Sequence, residues 1–534
     1  GRRAGGLAHP HRHDRRSGGA AAMTLPDWLD PVYEAAEMRA VDQWAIDQQG
    51  VPGVDLMERA GIGLARATAE VARPGPIRIV VGKGNNGGDG LVAARILRED
   101  GQQVDVLSVA PLDELGGDAR TNLERLPGDA PQPFEPAALE GSGAVVDALL
   151  GTGFSGEPRE PLAGAIRAIN EQDAPVVACD VPSGVDASTG EVHGDAVRAQ
   201  VTVSFHGSKI GLQVNPGKGL AGEVRVVEIG VPRGAPEPQL AGVISERVID
   251  LVPRRARDGS KFTSGTVVVV GGARGLTGAP TMAALSAQRT GAGYVQVAVP
   301  ESAEAVLQLK LLEGMTRALP EQDGGHTPQG VNEVRALAER ADALVLGPGL
   351  GRSDGAVDFA RVVARDIARP MLIDADGLNS HAGHIDLLKG RPGPTVLTPH
   401  AGELARLLRS DSQDVETHRL ERVQSAAARS GCVVVLKGDD SLVAAPGGPV
   451  AISPGASPAL ATAGTGDVLS GVIGTFLAKG LGALEAAAAG VLAHAHAGIV
   501  AAERHGADHV IAGDVIEAIP EAMRRLRGEG VPGA

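Results

Sequence analysis

The chain has 534 residues, more than one hydrophobic core holds, because cores stop growing near roughly 250–300 residues, so two domains are expected. Apolar residues make up 43 % of it and aromatics 2 %, and the formal net charge is −15. With few stacking platforms and a negative charge, no nucleic-acid partner is expected; the composition fits anionic ligands held locally by backbone N–H groups.

Cys179 and Cys432 lie far apart in apolar runs and form neither a disulfide framework nor a zinc spacing. A reducing, cytoplasmic location is the simple inference. No uninterrupted run of about 18 apolar residues occurs. The Ala-rich stretch 483–502 is broken by Glu485, His494 and His496, reads as a buried helix, and no membrane association is expected. His494 and His496 stand two apart on it and so cannot chelate together.

Residues 1–22 lack the apolar segment of a secretory signal. Their Gly, Arg and His mixture, with His9, His11 and His13, cannot build a core, and a disordered or spuriously translated leader is expected. From Met23, "YEAAEMRAVDQWAIDQQG" and "LMERAGIGLARATAEVA" carry helical periodicity. Then β-branched runs alternate with helical stretches: "PIRIVVGKG", "VDVLSV", "GAVVDALLG", "PVVACDVPSG" and "AQVTVSF". Residues 231–242 are rich in Pro and Gly, lack periodicity, and read as a linker. After them "GTVVVVGG", "GYVQVAVP", "ADALVLGPGLG", "RPMLIDADGLN", "PTVLTPHAGE" and "GCVVVLKGDD" again read as buried strands ending in turns. Helices close the chain from Thr465. The expectation is α/β with two domains, 23–230 and 243–534, each a parallel sheet covered on both faces.

Two glycine-rich strand-to-helix turns stand far apart. In "GKGNNGGDG", residues 82–90, glycines permit close backbone approach and the following helix points free N–H groups at an anion. Gly82, Gly84 and Gly87 match G-x-G-x-x-G, a weak signal alone; a loop built for geometry only is the bland reading. The Asn85-Asn86 pair adds carbonyl oxygens suited to a hard monovalent cation. Two later strand ends offer Asp147 with the loop 151–156, and Asp180 with Ser183. Each carboxylate alone reads equally well as a cap or turn residue. Lys209 ends another strand and could pair with Asp180, and such a pair exchanges protons if its pKa values are shifted.

In "ATAGTGDVLSG" the helix opening at Gly464 presents an anion hole, and Asp467 in its first turn can take a proton from a hydroxyl as a phosphoryl group arrives. Four further turns accompany it: "GPGLG" (347–351), "DADGLN" with Asp374, Asp376 and Asn379, "TPHAGELARLL" with His400 and Glu403, and "VVLKGDDS" with Lys437, Gly438, Asp439, Asp440 and Ser441. Turn formation for the aspartates, helix capping for His400 and dipole pairing for Glu403 are the bland readings.

The stretches "EMRAVDQWAI", "LMERAG", "GKGNNGGDGLVAAR", "DALLGTG" and "DVPSG" together resemble the NAD(P)HX epimerase domain, the YjeF N-terminal domain. The resemblance implies a Rossmann-like three-layer sandwich with K+. Carried over, the hydrated nucleotide would meet Asn85, Asn86, Gly87, Gly88 and Asp89, then Gly151, Thr152, Gly153, Phe154, Ser155, Gly156 and Glu157, and Asp180; K+ would meet Asn86, Asp147 and Ser183. Catalysis is assigned to Asp180 with Lys209, although the "FHGS" before Lys209 departs from the family pattern. From "GTVVVVGGARGLTGAP" to "AGTGDVLSG" the second half resembles the ribokinase-like superfamily, and within it the NAD(P)HX dehydratase, the YjeF C-terminal domain. Substrate would touch Ala279, Gly349 and His400, with Asp467 catalytic; the phosphoryl donor would meet 437–441 and Gly464, Thr465 and Gly466. Gly272-Ala273 stands where the family often has Gly-Gly-Ser, which puts a hydroxyl contact there in doubt. The fused order and composition look bacterial, so ADP with Mg2+ is expected as the donor, NADHX and NADPHX as substrates, and a homo-oligomer as the assembly. A ribokinase-like small-molecule kinase fused to a non-catalytic binding module is the alternative.

Overall fold

The computed structural model describes residues 25–238 and 240–529; the leader 1–22 and its histidines lie outside the described residues. Among the described residues the strands form one seven-stranded sheet, one eleven-stranded sheet and a two-stranded pair. The smaller sheet is parallel throughout. In space it runs Gln132–Pro133, Val104–Ser108, Ile77–Val81, Ala144–Ala148, Val176–Cys179, Val201–Phe205, Glu223–Val227. Chain order climbs outward in both directions from Ile77–Val81, so the crevice between it and Ala144–Ala148 is the topological switch point, where ligands gather in open α/β sheets.

Burial on both faces explains the unbroken β-branched runs. Ile77, Ile79 and Val81 turn to one core with helices Gly53–Val71 and Asn85–Glu99, while Val80 and Val145 turn to the other with helix Leu162–Asn170. The larger sheet repeats the plan. Ala343–Leu346, Met371–Ile373, Thr395–Leu397 and Val433–Leu436 lie on one side of Thr266–Val270, and Tyr294–Pro300 and Met315–Leu319 on the other, all parallel. Val267 and Val269 face one core, Val268 and Val270 the other. The architecture is thus α/β with two three-layer units.

Two boundaries differ from expectation. Beyond Val433–Leu436 the larger sheet continues through Leu442–Ala444 and Val450–Ile452, then Ala241–Ile244, and ends on Leu29–Val32. The first strand of the described residues therefore lies in the second sheet, although residues 23–230 read as the first domain, and the linker read as 231–242 ends inside strand Ala241–Ile244. Four residues, Leu-Asp-Pro-Val, carry no strand pattern of their own; edge pairing decides them, and Pro is tolerated there.

Helix Ala483–His505 is long and apolar enough to cross a membrane by length and composition, with 72 % of its most apolar window buried in the larger unit. Its His494 is buried and held neutral, its pKa pushed down to about 4 by that burial. Helix Thr465–Ala478 packs on helix Gly278–Arg289, and a Cβ at Gly471 would collide with Ala283 and Ser286.

Candidate functional site

At the switch point of the smaller sheet lies a cavity of about 770 Å³ walled by Gly82, Asn85, Asn86 and Asp89 from the first glycine turn, and by the segment 149–154 from the second. Asp180, Lys209 and Asp42 complete its charged floor. The first turn works by close approach: a Cβ at Gly87 would strike the Gly82 carbonyl. Helix Asn85–Glu99 therefore starts tightly, with Asn85 exposed and Asn86, Gly87, Gly88 and Asp89 buried. Gly151, Thr152, Gly153 and Phe154 line the cavity; Ser155, Gly156 and Glu157, expected with them, are exposed and not part of its wall. The loop turns outward after Phe154, which contiguity in sequence does not reveal.

Asp180 occupies a left-handed backbone conformation, φ 67, rare for a non-glycine residue and a strain found at functional positions. Its Oδ1 accepts from Lys209 Nζ at 2.5 Å. Lys209 Nζ also donates to Ser204 Oγ at 3.1 Å and to the Phe205 carbonyl at 2.9 Å, and its side chain is 1 % exposed. Burial pushes Asp89 well above the usual carboxylate range, with Asp180 and Asp42 adding to the shift. Burial likewise raises Asp42 to about 6, against the pull of Lys209.

Asp147, Ser183 and Asn86 converge on residue 150. Ser183 Oγ donates to Asp147 Oδ1 at 2.6 Å and accepts from Leu150 N at 2.9 Å, and Asn86 Nδ2 donates to the Leu150 carbonyl at 2.9 Å. Asp147 is fully buried and burial raises it to about 6. Among the described residues it has no cationic side chain beside it. Buried carboxylates ordinarily have such a partner; the oxygen-rich surroundings fit a monovalent cation.

In the larger unit, strand ends meet the start of helix Thr465–Ala478. Gly464 stands before that helix at φ 92. Lys437 Nζ donates to Asp374 Oδ1 at 3.0 Å and lies 3.7 Å from Glu403 Oε2. Ser470 Oγ, one turn beyond Asp467, donates to Asp374 Oδ2 at 2.7 Å. Burial, then Asp374, raise Asp467 to about 7. Burial opposes the charge on Lys437, but Asp374 and Glu403 outweigh it and raise its pKa. His400 caps helix Ala401–Leu408 and keeps its ring exposed, 3.6 Å from Glu403. Ala279 opens helix Gly278–Arg289 beside Gly349 at φ 64, and Met282, one turn on, abuts Gly464.

The "KGDDS" turn is engaged differently from expectation. Asp440 is fully buried in a two-pronged pair with Arg419, at 2.9 and 2.7 Å, and accepts from Asn215 N. Asp439 accepts from Asn215 Nδ2 and faces Lys218. Both carboxylates thus tie the two units together. A phosphate would instead meet Lys437 Nζ, which lies within 3.5 Å of where a Cβ on Gly466 would stand, and the exposed Gly438. Ser441 Oγ closes the turn on Gly438, and Thr465 Oγ1 donates to Leu460 and Thr462 carbonyls, so these hydroxyls shape the site.

A family model described as NAD(P)H-hydrate dehydratase matches residues 267–521, and one described as YjeF-related protein N-terminus matches residues 53–211. The bifunctional NAD(P)H-hydrate repair enzyme of Salinibacter ruber is 41 % identical over 536 residues, spanning 94 % of this chain and 97 % of the relative. The chain belongs to the bifunctional NAD(P)H-hydrate repair enzyme family. The repair enzyme of Moorella thermoacetica is 39 % identical over 93 % of this chain and 97 % of its own length. Among solved structures, the ADP/ATP-dependent NAD(P)H-hydrate dehydratase of Bacillus subtilis, co-crystallized with ATP/Mg2+, is 26 % identical, with a TM-score of 0.47 over 53 % of this chain and 98 % of that one.

In this repair enzyme the residues sequence reasoning left without a role are Asp42, Arg419 and Ser470. Asp42 sits in an amphipathic helix, Ala35–Gln43, where one aspartate looks like solvent face. Arg419 and Ser470 act through partners remote in sequence, Asp440 and Asp374; Ser470 lies within the "AGTGDVLSG" motif, but its partner does not.

Proposed function

We propose that the two sites divide the repair of hydrated nicotinamide nucleotides. The smaller unit interconverts R- and S-NAD(P)HX in the cavity over Asp180. The larger unit phosphorylates the S form from ADP and expels the phosphate. What carries the reading is the pair of separate strand-end sites, one floored by Asp180 and Lys209 and the other by Asp467, Lys437 and Asp374.

The hydrated ring bears a hydroxyl on C6, next to the ring nitrogen, and hydroxide is a poor leaving group. Asp467 takes the hydroxyl proton as the oxygen attacks the terminal phosphoryl group, and AMP departs. Lys437 and the amides opening helix Thr465–Ala478 hold the phosphoryl oxygens. The nitrogen lone pair then expels phosphate from C6, and loss of a C5 proton leaves NADH or NADPH. A base raised to about 7 is ionised in about half its population at neutral pH and still strong enough to take the proton.

K+ would be held by Asn86, Asp147 and Ser183, and would neutralise the buried Asp147 and fix the loop that walls the cavity. Among the described residues no three His, Cys, Asp or Glu side chains converge on a metal position. That suits Mg2+ carried in by nucleotide phosphates, with one or two carboxylates and water completing its shell. The free, buried Cys179 and Cys432 suit a reducing cytoplasm. A homo-oligomer would cover Leu309, Leu312 and Met315, which stand exposed beside the edge strand Met315–Leu319.

The test separates the sites. Asp467→Asn should abolish ADP-dependent dehydration of S-NADHX and leave epimerisation near normal, and Asp180→Asn should do the reverse. Equal loss of both activities in either variant would refute the division.

A further inference from the structure

We infer that Asp42 is a catalytic residue of the epimerase site, exchanging protons with the substrate in concert with Asp180, while Lys209 only positions Asp180. The inference deepens the epimerase reading and rests on it.

A lysine ammonium has three protons to donate, and all three of Lys209 are taken, by Asp180 Oδ1, Ser204 Oγ and the Phe205 carbonyl. With a side chain 1 % exposed, Lys209 cannot turn a proton toward the cavity without breaking that cage. Its effect is to fix the orientation of Asp180 with Oδ1 occupied. Asp180 Oδ2 has no partner among the described residues, and Asp180 lines the cavity, so this oxygen is the base.

Inverting a centre needs an acid as well. Asp89 is buried at the start of helix Asn85–Glu99 against Cys179. Arg39, Lys83, Glu114 and Asp118 are the other charged groups on the wall; Lys83 and Glu114 pair with each other. Asp42 enters from helix Ala35–Gln43, lines the same cavity, and makes no hydrogen bond or ion pair among the described residues. It faces Lys209 and Asp180, and burial keeps it partly protonated near pH 6.

The step balances without a further reagent. Asp180 takes the C6 hydroxyl proton, the C6=O bond forms, and the C6–N1 bond breaks with its electron pair going to N1. Asp42 delivers its proton to N1. The C5–C6 bond turns, and the reverse transfers close the ring on the other face, returning both protons.

The experiment follows epimerisation of R-NADHX by the full-length protein with excess ADP, so that each S molecule formed is read as reduced nicotinamide. Asp42→Asn should lower epimerisation kcat at least about 100-fold with KM within about threefold, in line with loss of a general acid, and should remove the alkaline limb near pH 6 expected of the unaltered enzyme. Direct dehydration of S-NADHX should be unchanged. Asp42→Glu, should the asparagine variant not fold, should retain charge and lose about tenfold or more in kcat. Lys209→Met should lower epimerisation kcat, through loss of the hold on Asp180, without removing the limb that belongs to Asp42. Either Asp42 variant within threefold of the unaltered rate, with the same pH profile, would overturn the role of Asp42 and leave the epimerase reading standing; an unaltered enzyme that does not convert R-NADHX would overturn the epimerase reading itself.

Discussion

Arg419 grips both oxygens of Asp440, and the same carboxylate accepts the amide proton of Asn215 from the other unit. Asn215 lies six residues past Lys209, and Asp440 three past Lys437. One short stretch of backbone on each side thus runs from a lysine paired with a buried aspartate, Asp180 or Asp374, to the shared ion pair.

Removing one partner of a buried pair leaves an uncompensated charge and costs about 3–5 kcal/mol. Arg419→Ala is expected to destabilise the larger unit by that order in denaturant unfolding, and Arg419→Met with Asp440→Leu to recover most of the loss. A single Arg419→Ala variant with unchanged midpoint would show that the pair holds nothing.

Dehydration should depend on the ionised form of Asp467. With its pKa raised to about 7 by burial and then by Asp374, the active fraction appears as pH rises through about 7 and falls away below it. Asp374→Asn removes the neighbouring negative charge, so the acid limb of kcat/KM should move to lower pH while the maximal rate drops, because Lys437 loses its anchor. An acid limb that stays put would exclude Asp467 as the titrating group.

Among the described residues Asp147 has only neutral donors around it. K+ at about 100 mM is expected to raise the melting temperature of the unaltered protein relative to tetramethylammonium by mass action, and to raise epimerisation. Asp147→Asn should abolish both responses without affecting dehydration of S-NADHX.

Gly464 precedes helix Thr465–Ala478 at φ 92, with Met282 and Ala512 against it. Gly464→Ala should cost about 1–2 kcal/mol for the left-handed backbone and reduce dehydration, with epimerisation unaffected. Activity within twofold would mean the turn tolerates a side chain and does not set the position of Asp467.

Much of this was legible in the residues. Buried parallel strands read as unbroken Val and Ile runs, and their glycine-rich exits mark where ligands meet backbone amides, so Ile77–Val81 with residues 82–90 and Val433–Leu436 with Lys437 could be placed from pattern alone. Pairing between remote segments could not. Leu29–Val32 is a strand because Ala241–Ile244 lies beside it, and Asp440 is an ion-pair partner because Arg419 folds over it. Motif reading took "KGDDS" as one functional unit, whereas its residues divide between a lysine paired with Asp374 and two carboxylates that fasten the units together. Asp42 was hidden for the opposite reason: its helix is amphipathic with Arg39 and Gln43 exposed, and only the cavity shows that Asp42 lines a site.

The most direct measurement gives the full-length protein an R and S mixture of NADHX with and without ADP and follows the absorbance of the reduced ring to its plateau. With ADP the account requires conversion of the whole mixture, and without ADP none. A plateau at the S fraction would show that the smaller unit does not epimerise, and absence of ADP-dependent conversion would contradict the account at its root.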